Sequence, residues 1–275
     1  GVITSNADNA VIKHNADYTQ GIGNTLNSTE AANYYLAAPF VNYLKATNDP
    51  RLSAIAIRYK GAKSGAEQTP DKGTTNPAEQ FGMPVGSDNA SAEAAAKASG
   101  LAHFYDYSQV DRRRMAKRTA WVFLVTAAQT NLLLAEARQR GWITTGTVAD
   151  YYNAGVRAHM EQLASYDPGS AVPSSAIDAY LAANPFDPAK ALEQINTQYW
   201  IASFLNGPEA WANFRRSGFP ALTPNPYPGS SVPGGFIRRL TYPNSEISVN
   251  KPNLDAAVSK MGPDNLATRV WWDKA

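Results

Sequence analysis

Between residues 111 and 218 the chain is cut into helix-period apolar segments by Gly, Pro and capping residues. No other feature restricts its possible folds as much. From Asp111 to Arg140, Trp121, Leu124, Ala128, Leu132 and Ala135 recur at steps of three and four and mark one helical face. Val122, Phe123, Val125, Leu133 and Leu134 fill the flanks, predicting a helix buried on most sides. Arg138 and Arg140 oppose the negative end of its dipole, Gly141 suits a left-handed cap, and Trp142 is expected to fold back as the apolar contact. Thr147 with Asp150 then caps a helix reaching about Tyr166, ended by Asp167-Pro168-Gly169. Ser175 to Asp178 opens a short one stopped at Asn184-Pro185. Asp187-Pro188 opens another running to Asn206-Gly207. Pro208 starts a last helix with Glu209, Trp211 and Phe214, closed by Gly218. Short capped turns between helices of this length describe an array of antiparallel helix pairs.

Upstream, Asn27-Ser28-Thr29-Glu30 reads as a helix start before an apolar run from Ala31 to Leu44, ended by Asn48-Asp49-Pro50. Short strands are expected at Leu52–Tyr59 and Phe236–Tyr242, both rich in Ile, Leu and aromatics. Residues 61–100 and 219–235 are rich in Gly, Pro, Ser and Asn without periodicity, and long excursions of this kind usually carry function or lack order. The expectation is one mainly α domain over 1–275. Residues 27–50 and 110–218 form its helical body, and 61–110 and 219–275 its loop-rich decoration.

Several function classes fall away on composition. Without cysteine the chain has no disulfide framework, cysteine-ligated zinc or thiol nucleophile. His14, His103 and His159 share no ligand spacing, and Asn6, Asp8 and Asn9 lack the Gly and bidentate Glu of a calcium loop, so neither metal nor cofactor is expected. A net charge of +2 is too small for a dedicated nucleic-acid binder. The one basic cluster, Arg112-Arg113-Arg114 with Lys117 and Arg118, reads as a solvated helix start. No apolar run reaches 18 residues. The Asn/Asp-rich opening resembles a loop entered midway, as in a fragment.

Five elements in order then resemble SusD-like proteins of the SusD/RagB type. They are Asn48-Asp49-Pro50-Arg51-Leu52 after a helix; Leu133-Leu134-Ala135-Glu136-Ala137 followed by Arg140-Gly141-Trp142; and Glu209 to Pro220 with its Trp-Ala-Asn-Phe-Arg-Arg core. Arg238-Arg239-Leu240-Thr241-Tyr242-Pro243 with Glu246, and Val270-Trp271-Trp272-Asp273, complete the set. The resemblance implies a tetratricopeptide-like helical fold with long loops and few strands. It further implies a non-catalytic lipoprotein on the cell surface of a Gram-negative outer membrane, held by an N-terminal lipid anchor outside this chain. Such proteins capture an oligosaccharide or peptide and pass it to a SusC-type TonB-dependent transporter.

The matching residues have structural rather than binding spacing. Trp211 and Phe214 lie three apart, as core residues do. One of Arg238 and Arg239 is expected to pair with Glu136, Glu209 or Glu246, and at least one of Trp271 and Trp272 to pack. Ligand contacts are expected from the variable excursion, because loops on a rigid scaffold carry recognition. Sugar recognition needs flat aromatic faces beside amides or carboxylates. That draws attention to Tyr59, Phe81, Asp88, Asn89, Phe104, Tyr105 and Tyr107, with Tyr105 and Tyr107 on the same side if extended. Two rival readings remain at this point. A helical-repeat scaffold would bind a protein through an exposed apolar groove. A glycoside hydrolase would need two facing carboxylates about 5–9 Å apart, from acids such as Asp106, Asp111, Glu136 and Asp150.

Overall fold

The computed structural model describes residues 1–28 and 32–273. In chain order these form β1 (Ala10–Ile12), α1 (Gly21–Leu26), α2 (Ala38–Ala46), α3 (Arg51–Ile55), β2 (Ala56–Tyr59), β3 (Gly73–Thr74), α4 (Asn89–Ala98), β4 (Gln109–Val110) and β5 (Val122–Val125). They continue with α5 (Ala127–Gln139), α6 (Val148–Gln162), α7 (Ser174–Ala183), α8 (Ala191–Ala202), α9 (Gly207–Ser217), α10 (Asn244–Val249) and α11 (Lys251–Met261). The fold is mainly α, with two small antiparallel sheets ordered β1-β5 and β3-β2-β4. The chain divides into two compact units, Gly1–Pro220 and Ala221–Ala275. Among the described residues no helix is long and apolar enough to cross a membrane.

The first unit is built on α5, α6, α7 and α8. Ala128, Leu132, Ala135, Tyr152, Val156, Met160, Ile177, Tyr180, Ile195 and Tyr199 form one buried cluster between them. Helices α5 and α6 approach closely because Gly155 has no side chain there. A Cβ on it would lie 2.7 Å from Leu132 Cγ and 3.1 Å from the Ala128 carbonyl. A second cluster joins α2 and α3 to the ends of α6 and α8 through Phe40, Val41, Leu44, Leu52, Ile55, Leu163 and Ile201.

A buried polar network ties the two clusters. Arg51, fully buried, is ion-paired to Asp49 and donates to Gln198 Oε1 (2.7 Å) and His159 Nδ1 (3.0 Å). Gln198 in turn donates to the Tyr180 hydroxyl at 3.1 Å. The Asp49-Pro50-Arg51 element thus joins α3, α6, α7 and α8, and each of its polar groups is satisfied, as burial demands. Glu136 plays a similar part between α5 and α9. It accepts two bonds from Arg216 (2.6 and 2.8 Å) and one from Arg140 (2.8 Å).

Several sequence expectations change here. Of the helix expected over Ala31–Leu44, Ala31 and the preceding Thr29 and Glu30 lie outside the described residues. Residues 32–37 are not helical, and α2 starts at Ala38 with Pro39 in its first turn, a position proline favours. Asp111–Arg140 is not one helix. Residues 112–120 are turns and loop, Val122–Val125 pairs with β1, and Thr126 starts α5 through a capping box with Gln129. Thr126 satisfies the orphan amides of α5 there, whereas a longer helix would carry them through a β-branched strand sequence. Arg112 and Arg118 donate to the carbonyls of Leu26 and Asn27, and Arg114 to those of Ser53 and Gly169. This basic run caps loops rather than opening a helix.

Leu52–Tyr59 is a strand only from Ala56, since α3 occupies its first half. No strand forms at Phe236–Tyr242. Arg239 pairs with Asp264 (2.6 Å) and Arg238 lies 3.7 Å from Asp273, acids of the same unit, in place of Glu136, Glu209 or Glu246. The α5 cap is as expected in backbone. Gly141 has φ +73°, and the Gly141 and Trp142 amides donate to the carbonyls of Arg138 and Ala137. Yet the Trp142 ring is 70% exposed beside Arg140 and does not fold back. Trp271 and Trp272 contact each other edge to face, and both are exposed.

Candidate functional site

The long excursion returns to the body at a short 3-10 turn, Phe104–Asp106. Its anchor is Asp106, buried to 1% exposure, which accepts from Arg58 of β2 at both oxygens (2.9 and 3.0 Å) and from the Ala102 amide (3.1 Å). Bidentate Arg–carboxylate geometry fixes orientation as well as position. Ser108 extends the anchoring. Its hydroxyl donates to Gln80 Oε1 (2.8 Å) and accepts from the Phe81 amide (2.9 Å), while its carbonyl accepts from Leu36 (2.8 Å). Gln109 donates to the Tyr34 carbonyl at 3.0 Å. Residues 34–38, 80–83 and 102–110 are therefore laced into one rigid surface.

Four half-buried rings lie along that surface, Tyr105 packed on one side against Ile57, Tyr59 and Ala62, and Tyr35 and Phe104 against Ala96, Leu101 and Tyr107, with His103 beside them. His103 and Tyr105 stack at 4.9 Å and 17°, and Phe104 lies 4.5 Å from His103 and 4.3 Å from Tyr105. Tyr35 meets Phe104 edge-on at 6.4 Å. Gln68 donates to the Tyr35 hydroxyl (3.3 Å) and the Tyr105 carbonyl (3.0 Å), which places an amide beside the rings. Glu93 of α4 accepts from the Phe104 amide (3.1 Å) and lies 3.2 Å from His103 Nδ1. Desolvation alone would raise its carboxyl, but interactions with Lys97, the Phe104 amide and His103 together outweigh it and hold the group below the usual range. Burial raises the Tyr35 hydroxyl, so it is neutral and can donate or accept at any physiological pH. Tyr34, on the same segment, is 53% exposed. Stacked rings flanked by an amide, a carboxylate and hydroxyls suit a ligand that is apolar on its faces and polar at its rim.

The residues singled out from sequence fall into three places. Phe81, Phe104 and Tyr105 are half-buried, with Phe81 beneath the cations of Arg58 (4.8 Å) and Lys45 (4.9 Å). Tyr107 is buried with Ala96 and Leu101, and Tyr59 is buried with Ile57 and Ala62, where the Tyr105 ring packs. Residues 104–106 form a turn rather than an extended run, so Tyr105 and Tyr107 do not present their rings together. Asp88 and Asn89 are exposed at the start of α4. There Asp88 accepts from the Ser91 amide (2.8 Å) in a capping box. Tyr34, Tyr35, Gln68 and His103 were not anticipated. The helix read over Ala31–Leu44 concealed the tyrosine pair, and Pro39 was the signal that the helix begins after it. No group of three or more metal-ligating side chains occurs among the described residues.

Residues 1–243 match the sequence model of SusD-like proteins described as starch-binding and associating with outer membrane. No curated protein matches. Among solved structures, a chitin-binding protein is 30% identical with a TM-score of 0.83, covering 100% of this chain and 57% of its own. A SusD homolog from Bacteroides fragilis is 26% identical with a TM-score of 0.80, covering 99% of this chain and 59% of its own. A chitin-binding SusD homolog from Flavobacterium johnsoniae is 26% identical with a TM-score of 0.72, covering 100% and 56%. The chain thus spans less than two thirds of the length of these relatives. The match over residues 1–243 and the shared fold of these structures agree, and the chain belongs to the SusD-like family.

Proposed function

We propose that this chain is part of a non-catalytic glycan receptor, and that the surface built from Tyr34, Tyr35, Gln68, His103, Phe104 and Tyr105 contacts the sugar. The observation that carries this reading is the stack of His103, Phe104 and Tyr105 on a turn locked by the Arg58–Asp106 pair. Pyranose rings offer C–H faces to aromatic rings and hydroxyls to amides and carboxylates, and preorganised groups lose little entropy on binding. The chitin-binding relatives support a glycan over a peptide.

The acids that a hydrolase would draw on support binding over turnover. Asp106 is held by Arg58, Asp111 by Arg114 (2.7 Å), Glu136 by Arg216 and Arg140, and Asp150 accepts from Thr147 in a cap (2.6 Å). We further propose that in the whole protein an N-terminal lipid holds the receptor on the outer face of the outer membrane. There it passes ligand to a SusC-type TonB-dependent transporter.

Calorimetry against chitooligosaccharides, maltooligosaccharides and mixed peptides tests the proposal, with product analysis of the same samples. The expected result is saturable glycan binding without cleavage. Tyr105→Ala should weaken it by about tenfold, roughly 1.4 kcal/mol. Cleavage, or peptide binding alone, would sink the reading, and unchanged affinity in Tyr105→Ala would move the site elsewhere. Recovery of a TonB-dependent barrel with the receptor from detergent-solubilised outer membranes tests the partner.

A further inference from the structure

We propose that the unit formed by Ala221–Ala275 carries a second pocket that binds a carboxylate-bearing pyranose, a uronate residue of an acidic glycan. Its cavity, about 530 Å³, is lined by Arg239, Tyr242, Lys260, Arg269, Trp271 and Trp272, together with Met261 and Val270. That volume lies within the range of small-molecule sites, roughly 300–1,000 Å³. Trp271 and Trp272 are 83% and 61% exposed, an arrangement that removes little indole surface from water. Large exposed apolar patches rimmed by polar groups mark interaction sites. The two rings meet at 5.2 Å and 88°, so they form a corner with open indole faces. A pyranose stacks its C–H face on such a surface.

The charge of the lining selects among sugars. It holds three cations and no carboxylate. Arg239 uses one nitrogen on Asp264 (2.6 Å) and lies 4.8 Å over the Tyr242 ring, and Arg269 uses one on Asp273 (2.9 Å). Each guanidinium has five N–H donors, so both keep donors for a ligand. Lys260, exposed in the last turn of α11, makes no ion pair with any described residue. A carboxylate entering the cavity would meet an ammonium ion and two partly used guanidiniums beside a flat aromatic wall. Those are the two features that set a uronate apart from a neutral hexose. The walls are held in advance. Asp264 accepts from the Tyr242 amide as well as Arg239, and the Arg238 amide donates to the Leu266 carbonyl at 2.7 Å. The pocket lies wholly within this unit and does not depend on the aromatic surface of the first.

The test is a tryptophan-fluorescence titration of the 275-residue chain with tri-galacturonate, its methyl ester and a sulfated neutral trisaccharide. Saturable binding of the uronate is expected, weakening with salt. The ester and the sulfated sugar should bind at least tenfold more weakly. Trp271→Ala and Lys260→Gln alter exposed side chains, so both should keep the wild-type circular dichroism while losing tenfold or more in uronate affinity. Equal binding of the ester or of the sulfated sugar would overturn the proposal. So would unchanged affinity in both variants, or the absence of saturable uronate binding. Chitooligosaccharide binding by Trp271→Ala is the control. It should be unchanged, and failure of neutral-glycan binding in the wild type would leave the uronate titration intact as a test.

Discussion

At the scale of single residues, proton linkage gives the sharpest predictions. Arg51 can only donate hydrogen bonds, so its contact with His159 Nδ1 requires a lone pair there and a neutral ring protonated at Nε2. Burial, and then the neighbouring Arg51 charge, push the His159 pKa well below 6.5. An unfolded His159 takes up a proton below about pH 6.5 where the folded one does not. Its contribution is therefore full above that pH and declines as pH falls through it. In His159→Asn the amide oxygen can replace Nδ1 as acceptor but does not titrate. Thermal melts from pH 7.5 to 4.5 should show a shallower loss of stability than wild type, and a parallel slope would refute the assignment.

Glu136 has the same sign in a more acidic window. Burial alone would raise its pKa, but hydrogen bonds from Arg216 and Arg140 outweigh it and hold the group at about 2. The stability it supplies is present above about pH 4.5 and lost as pH falls toward 2. Glu136→Gln should cost about 2 kcal/mol at neutral pH by chemical denaturation. That is below the usual cost for a fully buried pair because the Arg216 side chain is 43% exposed. It should also flatten the acid limb.

At the scale of elements, the α5–α6 interface depends on a missing side chain and the start of α5 on a buried cap. Gly155→Ala brings a methyl within 2.7 Å of Leu132 Cγ and 3.1 Å of a backbone carbonyl that cannot swing away. Overpacking of this kind costs about 1–3 kcal/mol, measurable as a lower denaturation midpoint. Thr126→Ala removes the oxygen that accepts from the Gln129 amide (3.1 Å) in a cap where both side chains are buried. The expected loss is about 1–2 kcal/mol. How much of each element the sequence showed follows from how local its signals were. Thr147 and Asp150 mark the start of α6, and Gly218, at φ +77°, closes α9, as sequence alone foresees. Thr126–Gln129 is an equally local signal, but it sits inside an apolar run whose helical period continues through Val122–Val125. The competing period hid it, and pairing with Ala10–Ile12 more than a hundred residues away decided the strand. The Tyr34–Tyr35 pair was hidden in the same way by the run that becomes α2.

At the scale of the whole molecule, the two units differ in how much apolar surface they bury. The first contains both large clusters, whereas Leu254 is the one buried apolar side chain among the described residues of the second. Local stability follows buried contact density. Hydrogen exchange should therefore be slow in the amides of α5, α6 and α8 and much faster in α10 and α11. Equal protection would show that the second unit is stabilised by something other than its own core. The sequence by itself determined the helical class, the ends of α6 to α9 and the family, because caps, breaks and apolar periods act over a few residues. It also drew attention to the segment from Phe104 to Tyr107. Only tertiary structure decided which of those rings stay partly exposed and which acids are taken. Tyr59 and Tyr107 carry the same side chain as Tyr34 and Tyr105. They differ in what the chain brings against them, and Asp106 is an anchor only because Arg58 arrives from 48 residues earlier. Burial and ion pairing are properties of neighbours in space, which no local pattern records.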